Sequence, residues 1–197
     1  VEAPTPGAPL LVVDDPCSTS SDIKVNEIVY NPEGADSGYE WVEIYNGGTE
    51  SLNLAGWELE VGKSSFRSAV AFDATVSIGS GAFLVVGEDA LIEADVVAVL
   101  DLGNAGSSAD IVRLKDCSGE VADTLIYGSP NSDEWLDDSG AIATSLADKG
   151  SEGDSVARYI DGDDTDACAD DFMPSETPTP GAPNDFSSAG DEGGDSG

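Results

Sequence analysis

Histidine is absent from this chain. That gap removes histidine general bases, histidine-activated nucleophiles and histidine-ligated zinc. Basic residues are nearly as scarce: seven Lys and Arg stand against 40 Asp and Glu, a formal charge of −33. Such a surface repels DNA, RNA and anionic bilayers and attracts divalent cations or basic partners. Self-repulsion also works against the compact state when salt is low. No apolar run is long enough to span a bilayer, so neither direct membrane insertion nor nucleic-acid binding is expected. No signal sequence opens the chain, and its start at Val-Glu-Ala-Pro reads as a segment processed from something longer.

Cysteine is limited to Cys17, Cys117 and Cys168, each in turn-like polar sequence (DDPCST, KDCSGE, TDACAD). A thiol serving as a small hydrophobe belongs in an apolar strand, so at least one disulfide is the better reading, and with it an oxidising, extracellular setting. Three pairings are open. The expected one is Cys17–Cys168, tying the lead-in to the acidic closing loop. Three cysteines so widely spaced do not make a zinc knuckle. The Gly-rich stretch at 103–108 precedes no helix and reads as a turn, not a phosphate cradle.

What is present is strand after short strand. Residues 23–30, IKVNEIVY, form the first convincing one, closed by Asn31-Pro32 and Gly34. In WVEIYN, residues 41–46, Val42 and Ile44 share one face while Trp41, Glu43 and Tyr45 share the other. In the next run Trp57, Leu59 and Val61 alternate with Glu58 and Glu60, the pattern of a half-buried strand. Further strands are expected at 66–72, 75–78, 82–87, 96–102, 111–115, 120–127 and 156–160. About eight or more such strands, with Gly/Asn/Asp/Ser turns and no βαβ unit, argue an all-β sandwich or barrel. Trp57, Phe83, Val85, Val112 and Leu114 are the expected core. Residues 128–155 break the pattern as a long loop anchored at 135–136 and 142–146, the latter as a short helical turn.

The order expected is a lead-in at 1–22, one β domain at 23–184, and a disordered acidic Gly/Ser linker at 185–197. Residues 4–9, PTPGAP, recur as residues 178–183, each copy preceded two positions earlier by glutamate (Glu2, Glu176). In register at an offset of 174 residues, the repeat suggests that residues 1–9 are the tail of a preceding homologous unit in an array.

Asn26-Glu27-Ile28, residues 40–46 (EWVEIYN), residues 54–57 (LAGW), residues 81–86 (GAFLVV) and the closing residues 178–184 (PTPGAPN) together resemble the lamin tail domain family, in its bacterial surface and secreted forms. The resemblance runs from about 23 to 184. It implies an immunoglobulin-like antiparallel β-sandwich used as a non-catalytic module, often beside other domains of secreted enzymes or adhesins. Nuclear lamins use theirs for protein contacts and for DNA, but this chain has no basic patch to serve the latter.

Two features invite a chemical reading. Asp161, Asp163 and Asp166 alternate with small residues, as oxygen ligands for Ca²⁺ do, though the loop lacks the glycine and the closing glutamate of an EF-hand. The plainer reading is a solvated acidic turn whose carboxylates cap backbone N–H groups, with Arg158 able to pair with one of them. Glu27 and Glu43 are the second pair; polar supports within or at the edge of the sandwich are the ordinary reading. Among the tryptophans, Trp57 reads as core and Trp41, beside Glu43, is undecided. Trp135 is expected to be exposed and a binding hot spot. Paired-acid hydrolysis is open by residue type alone and is not expected. The leading function is an extracellular structural or protein-interaction unit spacing or attaching neighbouring domains. A carbohydrate-binding or Ca²⁺-dependent adhesion module comes second, a hydrolase third.

Overall fold

The computed structural model describes residues 17–91 and 93–186. The strands are β1 (Ile23–Val29), β2 (Trp41–Asn46), β3 (Leu52–Asn53), β4 (Glu58–Gly62), β5 (Phe66–Ala71), β6 (Ser77–Ile78), β7 (Phe83–Gly87), β8 (Val96–Val97), β9 (Asp110–Lys115), β10 (Val121–Tyr127), β11 (Ser155–Arg158) and β12 (Phe172–Ser175). The one helical turn among the described residues, α1 (Cys168–Asp171), leads directly into β12. A six-stranded sheet, β12-β11-β1-β2-β7-β8, faces a four-stranded one, β10-β9-β4-β5, and β3 and β6 form a small third pair. Among these strands every pairing is antiparallel except β7 with β8. The fold is the immunoglobulin-like β-sandwich expected.

Period-two alternation sets the faces. Val42 and Ile44 of β2 and Leu84 and Val86 of β7 turn inward onto Trp57, Leu59, Val112, Leu114 and Leu125 of the other sheet. Their alternates turn outward, and there the expected core needs revision. Phe83 is only partly buried and packs on Tyr45, ring centroids 4.8 Å apart, on the outer face. Val85 is fully buried, but in a separate patch with Val29 and Trp41 on that same side. Reading 82–87 as one apolar run hid its two faces.

Three further expectations change. Trp135 is 6% exposed: its Nε1 donates to the Ala109 carbonyl at 2.9 Å and its ring packs edge-on against Phe66. Asn131 orders the long loop around it, accepting from the Trp135 N–H and donating to the carbonyls of Trp135 and Ala143. The helical turn expected at 142–146 is instead an extended bridge of Ile142 with Leu136. The run 96–102 is strand only at Val96–Val97.

The disulfide joins Cys17 to Cys117, not to Cys168. Cys117 lies in the β9–β10 turn beside the lead-in, whose Ser18 carbonyl also accepts from Trp57 Nε1 at 2.7 Å. Cys168 points the other way, into the core from α1, with Sγ against the Thr124 carbonyl; burial pushes its thiol up to about 12. Residues 1–9, the possible tail of a preceding unit, and most of 185–197 lie outside the described residues.

Candidate functional site

A β-bulge in β1 organises the polar side of the molecule. The register with β2 shifts between Val25 and Glu27. The extra residue breaks the alternation, so Asn26 and Glu27, both 0% exposed, follow one another as buried polar residues between inward Val25 and Ile28.

Glu27 sits directly opposite Glu43 of β2, itself 0% exposed. Like charges opposed and buried are destabilising, so the pair must be supplied with donors or protons. The donors come from Asn26 and from the closing segment 176–184, which crosses this face as a strap. Asn26 Nδ2 donates to Glu43 Oε1 at 3.0 Å, and the Gly181 N–H to Glu43 Oε2 at 2.7 Å. Thr179 donates its N–H to Glu27 Oε2 at 3.1 Å and its hydroxyl to the same oxygen at 2.9 Å. Gly181 has φ +79°, a left-handed conformation that glycine adopts without a Cβ penalty. Asn184 fastens the far end: its N–H reaches Asp161 Oδ1 at 3.1 Å and its side-chain amide the Arg158 carbonyl at 2.8 Å. At the near end Pro178 and Trp41 line one shallow apolar groove of roughly 280 Å³. Burial pushes Glu43 up to about 8 against the pull of Asn26 and Gly181, and burial raises Glu27 as well. No cation reaches either carboxyl among the described residues; protons and N–H groups do the neutralising.

On the other side of the bulge the same problem has the opposite solution. Arg158 of β11 is wholly buried. Its Nη2 donates to both oxygens of Asp123 on β10 at 2.9 Å, its Nε to the Val25 carbonyl at 2.8 Å and its Nη1 to the Asp163 carbonyl at 2.6 Å. The guanidinium also lies 4.3 Å from the Phe172 ring centroid. Asp123 Oδ2 accepts the Val25 N–H at 2.6 Å, so this pair satisfies both backbone groups of the residue where the bulge begins and links the two sheets. Lys24 Nζ pairs with Asp164 at 2.5 Å.

The acidic loop therefore works differently from the Ca²⁺ reading. Asp161 accepts from Asn26 and Asn184, Asp163 gives Arg158 its backbone carbonyl, and Asp166 is exposed at φ +60°. The carboxylates that converge among the described residues, each with an oxygen within 4.8 Å of the others, are Asp123, Asp138 and Asp164. These three could hold a metal ion. No sequence spacing announces them, because they come from β10, the long loop and the closing loop. Burial, then the Asp123 and Asp164 charges, raise Asp138 to about 7.

A third acidic region lines an open cleft of roughly 680 Å³ that includes Glu40, Glu88, Asp110 and Lys63. Here too the carboxylates serve backbone. Glu40 accepts from the Leu102 N–H, Glu88 from Gly38 and Leu100, and Asp110 from Ala105. These bonds hold the loops at 36–40 and 99–105, and burial sets Glu40 at about 7.

The model of the lamin tail domain family matches residues 16–129. The chain belongs to the lamin tail domain family. No curated protein matches it. The match covers β1 to β10, with Asn26, Glu27, Glu43 and Asp123, while Arg158 and the strap lie beyond it. In this lamin tail domain the buried carboxyls hold the protein's own backbone. No helix among the described residues is long and apolar enough to cross a membrane.

Proposed function

We propose that this lamin tail domain is a structural and protein-interaction unit of a larger secreted or cell-surface protein, holding neighbouring domains of the same chain in an array. The observation that carries the reading is the Cys17–Cys117 disulfide, which closes 100 residues of sequence and belongs in an oxidising compartment. The charge of −33 suits a saline exterior, where screening and bound cations relieve self-repulsion. Carbohydrate binding has no aromatic platform in Trp41, Trp57 or Trp135, all of them buried. The test is protease shaving and fractionation of cells that make the full-length protein, followed by a non-reduced peptide map. Surface or medium location with the Cys17–Cys117 cystine intact is expected. A cytosolic protein with three thiols overturns the reading.

Ca²⁺-dependent adhesion is the second reading, and one observation favours it. Asp138 converges with Asp123 and Asp164, an oxygen of each within 4.8 Å of the others, and has the Thr124 hydroxyl beside it. An ion there competes with the Lys24 ammonium and the Arg158 guanidinium for the other two carboxylates. Thermal melts in chelator, Ca²⁺, Mg²⁺ and NaCl of matched ionic strength decide it. A Ca²⁺ gain that grows logarithmically with free ion and disappears in Asp138→Asn supports a specific site. Equal gains from all three salts leave only screening.

A further inference from the structure

The strap is held at few points, and they can be read as a recognition code. Thr179 supplies an N–H and a hydroxyl to Glu27, Gly181 an N–H to Glu43, and Pro178 lies beside Trp41. Two of these features depend on residue type at a fixed spacing: the Thr179 hydroxyl, and the glycine two further on. Glycine is favoured at the last because the backbone there has φ +79°. The sequence contains that code twice. Residues 2–9, EAPTPGAP, differ from residues 176–183, ETPTPGAP, at one position, and Pro4, Thr5 and Gly7 stand where Pro178, Thr179 and Gly181 stand.

We propose that the slot formed by Glu27, Glu43 and Trp41 is a docking site for the segment at residues 4–9 of a second copy of this chain, which takes the place of the strap. The exchange preserves the donors that two opposed, buried carboxyls require, so neither glutamate is left unsatisfied when one segment replaces the other. It is domain swapping of a short element, the low-cost route by which identical units link. One departure sets the hierarchy. Leu10 stands where Asn184 stands and carries no side-chain amide for the Arg158 carbonyl, so the N-terminal copy is the weaker ligand. The strap also has the advantage of being tethered to its own slot. Within one unit the strap therefore holds the slot, and docking between copies shows when the strap is loosened. The inference extends the reading of the domain as an interaction unit. Cell fractionation tests that reading independently and is unaffected if this docking fails.

The probe is a fluorescent peptide of residues 1–10, titrated by anisotropy into the full chain. Two receptors are compared: wild type, and a strap-loosened Thr179→Ala/Asn184→Ala variant whose near-ultraviolet circular dichroism and disulfide verify its fold. Expected is saturable binding at least tenfold tighter to the loosened variant than to wild type. Adding Glu27→Gln to the loosened variant should weaken it tenfold or more, as should Thr5→Val in the peptide. A second loosened variant, Asn184→Ala alone, should bind with intermediate affinity and stands in if the double variant does not fold. Absence of saturable binding to a folded loosened variant, or equal binding by a scrambled peptide, overturns the proposal.

Discussion

Two buried polar clusters share the bulge in β1 and are neutralised in opposite ways. Glu27 and Glu43 face each other on the outer side of the six-stranded sheet and are answered by uncharged donors, three of them from the strap. Asp123 and Asp164 lie between β1, β10 and β11 and are answered by Arg158 and Lys24. At Glu43 burial outweighs the pull of the amide donors and keeps a proton on the carboxyl, whereas a carboxyl met by a guanidinium loses its partner's attraction when protonated. The first cluster should therefore tolerate loss of charge and answer to alkali, and the second should tolerate neither truncation nor strong acid.

The largest effect is expected in the charged cluster. Arg158→Ala removes the partner of a fully buried Asp123, the donor to Val25 and the cation over Phe172 at once. Breaking a buried pair from one side costs about 3–5 kcal/mol, because the remaining charge is left uncompensated. Equilibrium urea unfolding measures it, and a loss below about 1 kcal/mol would show that the guanidinium is dispensable and the contrast misplaced.

Next comes pH, where Glu43 and Asp164, one from each cluster, should part in sign, while burial raises Asp123 against the pull of Arg158. Glu43 is pushed up to about 8 in the folded protein, while an unfolded glutamate titrates near 4.5. Between those values the folded state holds a proton that the unfolded chain has lost, so stability falls as pH rises from about 4.5 to 8 and levels off above. Glu40 and Asp138, both near 7, add to the slope over the lower part of that window. Asp164 is lowered by Lys24 and Arg158 despite its burial, so its contribution stands above about 3.8 and is lost in stronger acid. Urea unfolding at intervals from pH 3 to 9 should show a maximum at about pH 4, between the two unfolded values. Glu43→Gln should flatten the alkaline limb by on the order of 2 kcal/mol, leaving the acid limb unchanged. An alkaline limb as steep in the variant as in wild type would place the titrating group elsewhere.

The contrast also marks what the sequence could disclose. Alternation in WVEIYN and WELEV identified the sandwich and put Glu43 and Trp41 on one face, because side-chain direction in a strand is a local property. Glu27 and Glu43 were legible as a pair of polar supports through the NE and WVEIYN motifs. That they sit in register depends on a bulge, and a bulge leaves no composition signal in KVNEI. The acidic loop at 161–171 drew attention by density, six aspartates in eleven residues, yet its partners Lys24 and Arg158 lie on two different strands. Trp135 misled for the same reason. A tryptophan in a polar loop looks exposed until the loop is known to fold back onto Ala109 and Phe66. The cysteines sat in similar turn sequences, and only topology puts Cys117 at the lead-in and Cys168 against the core.

The smallest effect, and the sharpest for the comparison, belongs to Asp138. It stands beside Asp123 and Asp164, but the ion pairs there reach those two and not Asp138. Inside the cation-neutralised cluster it thus behaves like Glu43, raised by burial and by its neighbours' charges against the pull of the Thr124 hydroxyl, with no ion pair of its own among the described residues. Asp138→Asn keeps the size and removes the charge. At pH 8, where the wild-type carboxylate is ionised against two like charges, the variant should be more stable by about 1 kcal/mol; the full shift would suggest more, but the side chain is part-exposed and solvent screens it. At pH 5 the wild-type group already carries its proton and the difference should vanish. Paired urea titrations at the two pH values read the result directly. If the substitution destabilises at both, Asp138 is needed as an anion, the cluster is short of negative charge, and the neutralisation ascribed to Lys24 and Arg158 is wrong.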